Sequence, residues 1–175
     1  LFNNLSNEAS ITKETDKIDL CADINAPFAL CDTLTITKDS HALDISAFRF
    51  AAREVQDGSV KGVVQGNKTA GLVAGKVTGS GTCAVDLRPC FKDGAQYALE
   101  TAGGSAGGLF GMIEKDASVS VTTGNLNILV SSAGAGNVGL LVGENKGTFT
   151  VSSESTYTGS ATAATDYAAG LVGVN

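Results

Sequence analysis

Four cysteines and one histidine are the residues of this 175-residue chain with the greatest capacity for covalent or metal chemistry. Cys21 and Cys31 form one close pair and Cys83 and Cys90 another, with nine and six intervening residues. Two local disulfides are the expected use of such pairs, and an oxidising, extracellular setting would follow. Buried thiols acting as small hydrophobes are the alternative. Zinc would want tighter C-x-x-C spacing and more than one histidine, so no metal is expected. His41 stands beside Asp39, Ser40 and Asp44, which form no nucleophile signature; a solvated loop position is expected for it. Asp86, Arg88, Lys92 and Asp93 cluster in sequence and could in principle serve a carbohydrate-active enzyme with carboxylates and a base. The competing reading is a charged, solvent-facing loop. Neither a catalytic residue nor a cofactor site is assigned.

Glycine-rich stretches fail as ligand cradles. Gly134-Ala135-Gly136 lacks the Gly-Lys-Ser/Thr continuation of a phosphate loop, and Gly103-Gly104-Ser105-Ala106-Gly107 lacks the aspartate of a calcium-binding repeat. Asn4-Leu5-Ser6 and Asn67-Lys68-Thr69 match the glycosylation pattern but read as plain surface asparagines. Thr35, Thr37, Thr148, Thr150, Thr156 and Thr158 do not share one spacing, so a flat threonine face for ice or crystal surfaces is not expected.

What must position these residues is a returning phrase. Leu1 to Ile11 lines up without a gap on Leu109 to Val119, and further copies start at Phe28, Phe50, Leu72, Leu141 and Leu171, in steps of 22 to 37 residues. Units of this size cannot bury their apolar edge alone and gain stability by stacking. The expected stacked core is Leu1, Phe2, Ile11, Leu72, Val73, Leu109, Phe110, Val119, Leu141, Val142, Leu171 and Val172. Period-two alternation predicts half-buried strands at Ala117–Thr122, Leu34–Thr37, Leu126–Ile128 and Phe149–Ser152. Turns are expected at 79–81, 123–125, 133–137 and 158–160. Residues 83–97 read as an excursion closed by a disulfide, and 40–54 as strands with a bulge through Leu43, Ile45, Phe48 and Phe50, a helix with Leu43, Ala47, Phe50 and Ala51 on one face being the alternative.

Composition agrees with an all-β chain: 22 glycines, two prolines, no tryptophan and 43% hydrophobic residues. The net charge of −6 leaves no basic patch to displace counterions, so nucleic acid is not an expected partner. No run approaches the roughly 18 apolar residues of a membrane span.

The phrases Gly71-Leu72-Val73, Gly108-Leu109-Phe110-Gly111, Gly139-Leu140-Leu141-Val142-Gly143-Glu144-Asn145 and Gly170-Leu171-Val172-Gly173-Val174-Asn175 resemble the GLUG-motif repeats of large bacterial surface proteins, including some related to IgA-cleaving proteases and adhesins. The resemblance implies a β-solenoid, parallel β-helix-like, on a cell surface, and no activity. Ala74 before Gly75, Asn3 where glycine is expected and the four cysteines depart from that pattern. The expectation is a single β-solenoid domain over 1–175 with about six irregular coils, part of a longer chain. Its expected role is that of a non-enzymatic extracellular stalk or adhesive module. Its partners would be neighbouring repeats or domains at both ends and a host protein or glycan. A carbohydrate-active β-helix enzyme and a self-associating filament subunit joined through open ends are the alternatives.

Overall fold

The computed structural model describes residues 1–8, 29–37 and 41–175, and among them the regular structure is strand apart from one three-residue 3₁₀ turn at Arg88–Cys90. Ile11, Cys21 and Phe28 lie outside the described residues. Strand β1 (Phe2–Ser6) opens a six-stranded sheet whose next members are β2 (Cys31–Ile36), β7 (Ala74–Gly79), β11 (Phe110–Ile113), β15 (Val142–Asn145) and β19 (Val172–Val174). A second sheet orders β3 (His41–Leu43), β8 (Gly81–Asp86), β12 (Ala117–Thr122) and β16 (Thr148–Val151). A third orders β6 (Val63–Gly66), β9 (Gln96–Thr101), β13 (Asn125–Ser132) and β17 (Thr156–Ala163). Two-residue strands β10 (Ala106–Gly107), β14 (Val138–Gly139) and β18 (Ala168–Ala169) make a fourth, to which Ala70 adds through an isolated bridge to Ala106. Every pairing in these four sheets is parallel.

The alternation read from the sequence places the side chains as expected. In β12 the pattern is strictly alternate, with Ala117, Val119 and Val121 buried and Ser118, Ser120 and Thr122 half-buried. Val119 lies between Cys83 and Phe149 in register, and Val121 between Val85 and Val151. One rung therefore stacks on the next at the strand spacing of about 4.8 Å. The interior is continuous: Leu72, Val73, Leu109, Phe110, Val119, Leu141 and Val142 are all buried in one cluster.

The glycines of the phrase mark places where backbone runs against backbone. A Cβ on Gly111 would stand 2.5 Å from the Gly75 carbonyl oxygen and 2.6 Å from the Ala70 nitrogen. At Gly143 the same atom would stand 2.6 Å from the Gly111 oxygen and 2.7 Å from the Ala106 nitrogen. Each of these glycines thus admits the preceding rung, a steric requirement that the spacing of the phrase alone does not reveal.

Several expectations are corrected by the pairings. Val73, not Leu72, is the register equivalent of Leu109 and Leu141: Val73 N–H donates to Leu109 O at 2.9 Å, and Leu109 N–H to Leu141 O at 2.9 Å. Leu30, fully buried, precedes β2 where Val73 precedes β7, which moves that copy's start from Phe28. Phe50 starts no copy. Its segment runs into an exposed antiparallel hairpin, β4 (Glu54–Gln56) with β5 (Ser59–Lys61), because Asp57 and Gly58 both adopt positive φ, 51° and 75°, in the tight turn that an Asp-Gly pair favours. Phe50 instead packs into an aromatic cluster, stacked on Phe91 at 5.0 Å between ring centroids and edge-on to Phe48 at 4.7 Å. Among the described residues 41–54 only His41–Leu43 forms a strand of the ladders, although Leu43, Ile45, Phe48 and Phe50 are all buried. Gly159 is not at a turn; it lies inside β17, opposite Ile128. Leu1, Phe2 and Leu171 are not buried, being 50%, 41% and 43% exposed, and Val172 is half-buried. The reason is topological: β1 and β19 are the outer strands of their sheet, and among the described residues each has a neighbour on one side only.

Neither expected disulfide is supported, Cys21 lying outside the described residues. Cys31, Cys83 and Cys90 are buried thiols. Cys83 is an inward residue of β8, level with Val119, whereas Cys90 ends the 3₁₀ turn and donates its Sγ–H to Ile45 O at 3.3 Å. Cys31 donates to Val73 O at 3.3 Å. These thiols fill core positions as small apolar groups. The excursion is accordingly shorter than expected: Cys83–Asp86 belong to β8, and the chain leaves the ladder only between Asp86 and Gln96.

Candidate functional site

Three surfaces carry polar side chains that a ligand could use, and each is built by neighbouring rungs. The first is the Asp86–Arg88 corner at the end of β8. The backbone N–H of Arg88 donates to Asp86 Oδ1 at 3.1 Å, which turns the chain, and the guanidinium then closes on the same carboxylate through Nε at 3.0 Å and Nη2 at 2.7 Å. Glu154, 66 residues away in sequence, completes the group through a 3.4 Å contact to Nη1. The Arg88 side-chain hydrogen bond holds the Asp86 carboxyl below the usual carboxylate range, and the carboxylate raises Arg88 in return. Asp86 is therefore anionic and already engaged. Lys92 and Asp93 are exposed; the Lys92 backbone N–H donates to Tyr97 Oη at 2.6 Å, which pins the excursion to the aromatic cluster. Sequence reasoning grouped Asp86 and Arg88 correctly but missed Glu154, since no local signal links positions two rungs apart.

The second surface is a cleft of about 620 Å³ between the Gln65–Gly71 stretch and strands β2 and β7. Asp32, Asn67, Lys68, Thr69 and Lys76 supply its polar atoms, and Gly71 and Gly75 floor it. Lys76 reaches across one rung to an ion pair with Glu114. The Cys31 thiol borders the cleft, but burial pushes its pKa up to about 12, against the opposing pull of the N-terminal ammonium. Burial likewise raises Cys83 to about 11, a backbone hydrogen bond from Leu43 opposing it. Protonated thiols are poor nucleophiles. His41, expected in a loop, has its backbone in β3 opposite Cys83.

The third surface is the set of outward ladders. Thr35 Oγ1 donates to Asn4 Oδ1 at 2.9 Å and lies 3.5 Å from Thr78 Oγ1, and Thr82, Ser118 and Thr148 follow one another in register. Ser105 Oγ donates to Glu144 at 3.3 Å, and Lys146 pairs with the same carboxylate at 2.9 Å. Among the described residues no group of three or more His, Cys, Asp or Glu is placed to hold a metal ion. No helix among them is long and apolar enough to cross a membrane.

Fold and surface together define an all-β chain of parallel ladders with hydrogen-bonding outer faces. No protein-family model, curated protein or solved structure matches it.

The thiols give a direct test. In the Cys21→Ser chain at pH 8, Ellman's reagent should label none of the remaining three cysteines until denaturant is added, and then all three. Fast labelling of any of them in the native state would contradict their burial. Because the folded thiols hold their protons to about 11 and 12 while an exposed thiol releases its proton near 9.0, their contribution to stability is complete below about pH 9. It is lost as pH rises through the folded values, so the melting temperature should fall above pH 9, and less steeply in the Cys31→Ala, Cys83→Ala chain.

Proposed function

We propose that the chain is a β-solenoid of about six irregular coils that serves as a non-enzymatic, rigid extracellular module of a bacterial surface protein. In this reading it spaces attached parts from the cell or binds a host protein or glycan along its side. One observation carries the reading: an unbroken run of parallel pairings joins β1 to β19, stacking Leu5, Leu34, Val77 and Ile113 inside, while Asn4, Thr33, Lys76 and Glu144 share one outer position with Met112 and Val174. A stack of this kind transmits load through its backbone ladders and repeats its outer side chains at strand spacing, which suits a stalk or an extended adhesive face. The resemblance to surface repeats, rather than cysteine chemistry, supports the extracellular placement.

Two measurements test it together. Small-angle scattering should give the distance distribution of an elongated particle. Incubation with a glycan panel should give binding or nothing, but no cleavage products. Products that form with the native chain and vanish in the Asp86→Ala, Arg88→Ala, Asp93→Ala chain would replace this reading by that of a carbohydrate-active enzyme.

A further inference from the structure

The cleft between the Gln65–Gly71 stretch and strands β2 and β7 is walled by backbone that neighbouring rungs hold in place. One wall, residues 66–70, is fastened to the following rung: Ala102 N–H donates to Gly66 O at 2.8 Å, Thr101 Oγ1 to Lys68 O at 2.7 Å, and Ala70 N–H to Ser105 O at 3.0 Å. The other wall is the β2–β7 ladder, in which Asp32 lies level with Gly75. The two walls converge over Gly75, where a Cβ would stand 2.7 Å from the Thr69 carbonyl oxygen and 3.0 Å from that of Asp32. A larger residue at 75 would fill the floor, so glycine keeps it open between walls that are already fixed.

The side chains around this floor are not engaged with one another. Asp32, Asn67, Lys68 and Thr69 make no side-chain hydrogen bond or ion pair among the described residues, whereas Lys76 is paired with Glu114. The cleft therefore offers one free carboxylate, one free ammonium, an amide and a hydroxyl, with the Thr69 carbonyl as a further acceptor. That set suits a polyhydroxylated ligand with a single negative charge. A carboxylate accepts from neighbouring hydroxyls, an amide both donates and accepts, and an ammonium pairs with an anion. A phosphate dianion fits less well, because the one free cation shares the cleft with a carboxylate. A peptide fits less well too, since no lining residue is aromatic to anchor a side chain.

We propose that this cleft binds an acidic saccharide, Lys68 pairing with its carboxylate while Asp32, Asn67 and Thr69 bond its ring hydroxyls. The volume of about 620 Å³ has room for about one or two sugar rings. Uronic acids and sialic acids both carry a carboxylate on a hydroxylated ring and so share the chemistry that the cleft recognises. The proposal rests on the adhesive form of the reading above, to which it adds the place of the ligand and its charge.

The test is an NMR titration of the isotope-labelled chain with digalacturonate, with sialyllactose, and with their uncharged counterparts galactobiose and lactose. Saturable shifts at Asp32, residues 67–71 and Gly75 are expected with at least one of the acidic sugars, and whichever binds identifies the source of the carboxylate. Its uncharged counterpart should bind at least about tenfold more weakly. Lys68→Gln should remove that preference and Lys68→Arg should keep it, both with otherwise native spectra, since residue 68 is exposed. No shifts in the cleft with either acid, equal binding of the uncharged sugars, or an acid preference that survives Lys68→Gln would overturn the proposal. Shifts centred instead on the outer face of β8, β12 and β16 would overturn this site and leave the adhesive reading standing, whereas silence of the whole glycan panel would remove glycan binding from that reading as well.

Discussion

Replacing Gly111 by valine is expected to cost at least about 3–4 kcal/mol, enough to leave a marginally stable domain largely unfolded. The new Cβ would press on the Gly75 oxygen and the Ala70 nitrogen, 2.5 and 2.6 Å away, and both obstacles are backbone atoms held in parallel ladders. Neither can swing aside as a side chain does, so relief requires two rungs to part and their hydrogen bonds to lengthen. Gly170 provides the control, because it belongs to the same recurring phrase yet a Cβ there meets nothing within 4 Å and its φ is not positive. Gly170→Ala should leave the urea midpoint unchanged or raise it slightly through the unfolded chain. Equal losses at 111 and 170 would mean that the phrase glycines act through backbone freedom rather than through close approach.

Leu109→Ala should be the next most damaging change, at about 2–5 kcal/mol. Leu109 is fully buried, and its backbone is fixed from both sides, by Val73 N–H onto its carbonyl and by its own N–H onto Leu141 O. The rungs that hold it therefore cannot collapse into the space left behind, which places the cost towards the upper part of that range. Leu171→Ala removes the same group from the corresponding position of the outer rung, where the side chain is 43% exposed. Its loss should be less than half as large in the same chemical-denaturation experiment. A Leu171→Ala cost equal to that of Leu109→Ala would show that the outer rung is covered in solution.

The candidate sites were legible to very different degrees. Asp86 and Arg88 are two residues apart, and an aspartate before a turn commonly caps the following backbone N–H, so their contact is local. Glu154 joins them only because Arg88 and Glu154, 66 residues apart in the chain, come together across the ladders. The cleft has no sequence signature: Asp32, Lys68 and Lys76 belong to three separate segments brought together by β2 and β7. Cysteine spacing was misleading for the same reason. Proximity along the chain suggested that Cys83 could reach Cys90, but β8 turns the first into the interior while the 3₁₀ turn sends the second towards Ile45.

The hairpin at β4 and β5 shows a signal that was present and outweighed. Asp57-Gly58 between two short β-prone runs specifies a tight antiparallel turn. The weak likeness of 50–60 to the opening phrase drew the same residues into the repeat instead, although Val55 and Val60 are 61% and 49% exposed and belong to no core.

By itself the sequence determined the local terms. Alternation of small aliphatics with Ser and Thr made strands such as β12, and the glycine phrases placed close-packed segments at 107–111 and 139–143, because strand periodicity and the space a Cβ needs are properties of residues near one another in the chain. Tertiary structure decided which segments share a rung, that Val73 rather than Leu72 lies level with Leu109, that three cysteines stay thiols, and that Asn145 donates to Asn175 between rungs. These depend on hydrogen bonds and excluded volume between residues 30 or more positions apart. A slip of one residue leaves the local pattern intact while turning every side chain to the opposite face.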